Sequence, residues 1–292
     1  MARRPMLVAL ACLAAAALLG AAAVFAAGEY LSGTAHAVIG PVPPGLNAAA
    51  VLIPTENGPI AGWHVRGPAG GGTVLLLHGV RASRMEMLAR ARFLSSQGYG
   101  VLLIDLQGHG ESGGERITFG AREAQGVRAA LAFMAREQPG ERIGVIGNSL
   151  GAAALVLARP GKQISALVLE AMYPTIEEAV ENRLGMVLGA PGKLLSPLLL
   201  QQLPLRLGVP LSGLRPIDAV GALACPTLVI GGALDLHTTA DETRRIHAAV
   251  PEPKQLWIVE GAAHVDFHGH AKTDYERRVA AFLENYLRSS PH

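Results

Sequence analysis

The sequence predicts an α/β fold: a mainly parallel sheet of eight strands flanked by helices, with a helical cap inserted after the sixth strand. Three observations carry that expectation. From about residue 50 to residue 287, short apolar runs alternate with longer amphipathic ones, the pattern that lays helices over a parallel sheet. The six short runs from residue 73 onward are apolar on both sides, as strands buried between helical layers must be. One stretch of about fifty residues, between residues 170 and 227, breaks the rhythm. It is too long for an ordinary connection in a compact domain.

The first two runs, residues 50–53 and 60–65, are joined by Thr55-Glu56-Asn57-Gly58. Turn residues at that spacing predict an antiparallel hairpin at the sheet edge. Strands are then expected over residues 73–77, 101–106, 143–147, 166–169, 227–231 and 255–259, with helices over 85–96, 119–137, 150–158, 239–249 and 274–287. The long interruption is rich in leucine and broken by Pro191, Pro197, Pro204 and Pro210, so its helices must be short. Its leucines either pack on the main domain or line an acyl pocket and touch lipid. The expected organisation is an N-terminal segment over residues 1–28, a loose linker over 29–48 and one domain over 49–290, with the insertion at about 171–224.

Composition narrows the function. Half of the residues are hydrophobic, ample for a large core. The net charge is only +2, with no cluster of Lys and Arg interleaved with aromatics, so nucleic acid is not expected as a partner. Cys12 lies in an apolar run and Cys225 just before Pro226; nothing suggests a disulfide between them. Arg3 and Arg4 precede an uncharged Ala- and Leu-rich stretch over residues 5–28, about the length of a membrane-spanning helix. The arginines would hold that end in the cytoplasm and place the rest of the chain on the other side, with Tyr30 near the interface. A secretory signal cleaved near Ala26 and Ala27 is the competing reading.

The chemistry centres on Gly147-Asn148-Ser149-Leu150-Gly151, which follows an expected strand and opens an expected helix. A serine nucleophile must project beyond its sheet on a tight turn, and glycines two before and two after it clear the space. The same turn aims the N-terminus of the next helix at the place where an oxyanion forms, with Leu150 supplying one N–H. A serine hydroxyl also needs a base, and a histidine needs a carboxylate to orient it. Asp235 follows the run at 227–231 through a short Gly-rich loop, and His264 follows the run at 255–259 in the same way. The order Ser149, Asp235, His264 suits this architecture.

With those residues in place the chain resembles the α/β-hydrolase superfamily. It is similar within it to membrane-tethered or secreted serine hydrolases of the eukaryotic BEM46-like group and the bacterial serine-aminopeptidase-like group. The likeness covers about residues 50–287 and includes Leu77-His78-Gly79-Val80, Asp105 to Ser112, Gly232-Ala233-Leu234-Asp235 and Gly261-Ala262-Ala263-His264. It implies that the Val80 N–H is the second oxyanion donor and that the insertion caps the site. The residues after Asp235, Leu236-His237-Thr238-Thr239, depart from the hydrophobic residue and proline usual in relatives.

Other residues invite weaker readings. His264, Asp266, His268 and His270 fall within seven positions, but alternating spacing in one loop rarely converges on a metal without a further ligand group. Neither metal nor cofactor is expected. His78 and His109 sit in glycine-flanked turns, where histidines more often brace a loop than titrate. Glu170, ending a strand on the same edge, is an alternative orienting acid. The function expected is hydrolysis of a carboxylic ester with a lipophilic acyl group. A peptidase, aminopeptidase or thioesterase would use the same residues, and a non-catalytic membrane-tethered interaction module is the rival of another class.

Overall fold

A computed structural model describes residues 3–288. Residues 1–2 of the expected N-terminal segment and 289–290 of the expected domain lie outside them. The chain opens with helix α1 (Arg3–Ser32) and enters the sheet through β1 (Ala49–Ile53) and β2 (Ile60–Val65). Then come β3 (Thr73–Leu77), α2 (Leu88–Ser96), β4 (Gly100–Ile104), α3 (Glu123–Glu137), β5 (Ile143–Asn148), α4 (Leu150–Ala158) and β6 (Ala166–Glu170). The insertion holds α5 (Ile176–Leu188), α6 (Ala190–Leu200), α7 (Gln202–Leu207) and α8 (Ile217–Val220). The chain closes with β7 (Thr227–Gly232), α9 (Ala240–Ala249), β8 (Lys254–Val259), α10 (Phe267–His270) and α11 (Lys272–Leu287).

The eight strands form one sheet in the order β8-β7-β6-β5-β3-β4-β2-β1. β1 and β2 pair antiparallel, as do β2 and β4; every other neighbouring pair is parallel. The apolar runs are two-sided for a visible reason. Leu75, Leu77, Leu102, Ile104, Val145, Leu167 and Leu169 face α3 and α4, while Val74, Leu76, Val101, Leu103, Ile146 and Val168 face α2 and α11. Each such side chain, fully buried, contributes roughly 1.5–3 kcal/mol. Because the order reverses at β3, the loops after β3 and β5 lie side by side at the carboxyl edge, where open α/β sheets bind ligands.

Several boundaries differ from the sequence expectation, two of them through a carboxylate that captures backbone N–H groups. The helix expected from residue 119 starts at Glu123, because Glu123 reaches back to accept the Thr118 and Gly120 N–H groups at 2.7 and 2.9 Å. The run expected to be strand through residue 106 ends at Ile104, since Asp105 turns to accept the Arg84 and Glu111 N–H groups and pairs with the Arg84 guanidinium. The stretch expected as a loose linker is pinned. α1 runs on to Ser32, Ala35 and His36 pair with His109 and Gly110, and Leu46 is buried.

His78 and His109 brace the two loops that flank the site. The Leu106 N–H donates to His78 Nε2 at 2.9 Å, so His78 Nδ1 carries the proton and donates to the Gly79 carbonyl at 2.7 Å. The His109 ring lies against it at 5.1 Å between centroids. Burial pushes both imidazoles down to about 4 from an ordinary 6.5. Unfolded, each ring takes its proton near 6.5; folded, it resists until about 4, so the unfolded chain binds more protons between those values. Stability is therefore full above about pH 6.5 and falls as pH drops towards 4. Urea midpoints measured across that window should fall, and more gently in His109→Asn, which has one fewer such ring.

Candidate active site

β5 delivers Ser149 into α4 on a backbone turn with φ +48° and ψ −108°. That conformation costs a non-glycine residue of order 1–3 kcal/mol and persists only where its surroundings impose it. They do so here by close approach. A Cβ on Gly147 would lie 2.7 Å from the Ala152 nitrogen, and one on Gly151 would lie 2.5 Å from the Leu77 carbonyl oxygen. The Ser149 N–H is held by the Glu170 carbonyl at 2.8 Å. Past the turn, the Leu150 N–H opens α4, and among the described residues neither it nor the Val80 N–H has a hydrogen-bond partner. Val80, Ser149, Leu150 and His264 line one cavity of about 130 Å³.

The loop carrying Val80 and the serine turn are joined by a residue that sequence reasoning missed. Glu86 accepts the Gly79 N–H at 2.7 Å with one carboxylate oxygen and the Asn148 side-chain amide at 2.6 Å with the other. No local motif announces it. A glutamate in an otherwise ordinary helical start acquires this role only because β3 and β5 are neighbours.

Asp235 and His264 meet. His264 Nδ1 donates to Asp235 Oδ2 at 2.7 Å, while Oδ1 accepts the His237 and Thr238 N–H groups at 2.7 and 3.0 Å. A carboxylate only accepts, so the proton sits on Nδ1 and leaves Nε2 as the basic nitrogen. Asp235 is buried, and the His264 ring is about one-quarter exposed on the cavity wall. Among the described residues no hydrogen bond joins the Ser149 hydroxyl to that ring. Ser149 and His264 share the lining of one cavity. His237 packs against His264 with the rings tilted by 34° and 4.8 Å between centroids. Burial, with the charge of Arg183, keeps its ring below the usual imidazole range.

The other tempting residues have separate partners. Glu170 is turned away, paired with Arg90 at 2.6 Å and hydrogen-bonded by the Tyr275 hydroxyl. Arg90 reaches on to Asp266 at 2.7 Å. Asp266 also caps α10 by accepting the His268 and Gly269 N–H groups. His268 contacts Glu276 at 2.9 Å, and His270 faces the Glu260 carbonyl. Among the described residues, no group of three or more His, Cys, Asp or Glu is placed to hold a metal ion. Cys12 is exposed and Cys225 buried, both as free thiols.

Much of the cavity's remaining lining is apolar and comes from two directions. Ile176, Leu184, Leu199 and Leu203 descend from the insertion, and Gly28 and Leu31 from the end of α1. The insertion therefore covers the site, and α1 contributes to it, which nothing in the sequence pattern signals.

Known proteins are similar to this chain in sequence and fold. Residues 69–207 match the family model described as serine aminopeptidase, S33. The uncharacterized protein Rv2307c of Mycobacterium tuberculosis is 30% identical over 220 residues, 74% of this chain and 72% of the relative. The uncharacterized protein YqkD of Bacillus subtilis is 25% identical over 246 residues, 82% of this chain and 80% of the relative. An esterase of Pyrococcus furiosus superposes with a TM-score of 0.73 at 25% identity, covering 86% of this chain and 96% of the esterase. The chain thus belongs to the α/β-hydrolase superfamily and is a hydrolase of that class.

Proposed function

We propose that this hydrolase cleaves a carboxylic ester with a lipophilic acyl group through an acyl-enzyme, with Ser149 as nucleophile, His264 as general base and acid, and Asp235 as the group that orients the imidazole. The observation that carries the reading is the Asp235-held imidazole lining the same cavity as a serine kept on a strained turn. Ser149 Oγ attacks the acyl carbon as Nε2 takes its proton, and Asp235 stabilises the imidazolium. The Val80 and Leu150 N–H groups receive the oxyanion, a contribution of about 3–4 kcal/mol per donor in comparable sites. His264 then protonates the departing alkoxide, and water releases the acid by the same steps.

The description of the family model favours a second reading, an aminopeptidase. Among the described residues, the cavity lining includes Arg81 and Arg183 and no carboxylate to hold a free amino terminus. The esterase in the same fold and the apolar lining point to the ester. We also propose that α1 anchors the enzyme with Arg3 and Arg4 on the cytoplasmic side. It is long and apolar enough to cross a membrane and continues without a break through Ala26 and Ala27.

Turnover of a chromogenic butyryl ester should drop by roughly five orders of magnitude in Ser149→Ala and His264→Ala and by about four in Asp235→Ala. A fluorophosphonate should label the parent protein and not Ser149→Ala. An unlabelled parent would remove the serine reading, and full activity in Asp235→Ala would remove that residue's role. After an alkaline carbonate wash the full chain should remain in the membrane pellet. Soluble protein whose first residue lies at about Gly28 would instead mean that the segment is a cleaved signal.

A further inference from the structure

A second apolar space, a groove of about 770 Å³, lies along α1 beside the active-site cavity. One side is made by Ala17, Gly20, Ala21 and Val24 of α1, the other by Leu195 and Leu198 of α6. Leu184 and Leu199 line both groove and cavity, so only these side chains stand between the two spaces. We propose that this groove takes the acyl chain of a lipid ester directly from the bilayer and guides it to Ser149, with the anchor helix itself as one wall of the binding site. The proposal rests on the ester-hydrolase reading above.

Length arguments place the groove at membrane depth. At 1.5 Å per residue, the uncharged part of α1 before Ala17 spans only about 18 Å, against a hydrocarbon core of about 30 Å. Residues from Ala17 to about Val24 must therefore lie within the core if α1 spans it, and these residues face the groove. The groove then opens in the leaflet nearer the catalytic domain, and a chain sliding along it never meets water. The insertion's surface agrees with immersion. Leu194 is 82% exposed and Leu205 90%, with Val187 also exposed, and exposed apolar area on that scale marks a surface for lipid or a partner. The arrangement is also fixed in place. The Val24 carbonyl accepts the Gln202 amide at 3.0 Å, the Phe25 carbonyl accepts Arg206 at 2.8 Å, and Glu29 pairs with both Arg206 and Arg116. Gly28 allows the approach, since a Cβ there would lie 2.8 Å from the Gln202 side chain.

The test fills the groove. Full-length parent, Ala21→Trp and Leu198→Trp are reconstituted in phosphatidylcholine vesicles and assayed on p-nitrophenyl palmitate and p-nitrophenyl butyrate. The ratio of palmitoyl to butyryl kcat/KM should fall at least tenfold in both variants; a ratio within twofold of the parent overturns the groove. As a measurement that needs no groove mutant, Ser149→Ala is irradiated in phosphatidylcholine vesicles doped with a phosphatidylcholine bearing a diazirine in its acyl chain. Crosslinks within residues 17–27 and 184–202 support the proposal, and their absence overturns it. A parent that is labelled by a fluorophosphonate and hydrolyses butyrate while failing either test loses only the groove. A parent that does neither loses the esterase reading, and the groove falls with it.

Discussion

The backbone turn at Ser149 is the constraint on which the other features depend. Its dihedrals lie where side chains other than glycine are strained, and the strain is tolerated because β5 and α4 are both locked before and after it. Gly147 lets α4 fold back onto the strand, Gly151 lets the helix pass the end of β3, and the Ser149 N–H is committed to β6. Packing worth roughly 1.5–3 kcal/mol for each of many buried strand side chains outweighs a local cost of about 1–3 kcal/mol. Release any of these and the serine side chain would relax into the helix or the sheet.

Much of this was legible beforehand because it is local. Strand positions followed from runs apolar on both faces, the serine turn from its glycines, and Asp235 and His264 from their distance past strand ends. The hairpin β1–β2 could be placed at the edge from four turn residues alone. Element boundaries were less legible where a polar side chain competes with regular structure. Asp105 ends a strand that hydropathy would extend, and Glu123 delays a helix that periodicity would start early.

What the sequence hid is non-local. Glu86 has no distinguishing neighbours in the chain, yet it spans two loops brought together by strand order. Glu170 has the right position for an orienting acid, but Arg90 and Tyr275 satisfy it first. Only the folded loop reveals that the His237 ring packs, tilted, against His264. The contribution of α1 is the largest omission, since membrane-segment reasoning treats such a helix as a tether and assigns it no part in the site.

The two oxygens of Glu86 tie one donor from each side of the site. The segment bearing Val80 and the segment bearing Ser149 are thereby yoked together, so that one resists drifting from the other. Variation in the overlying helices can then reshape which molecules enter without shifting these two segments against each other.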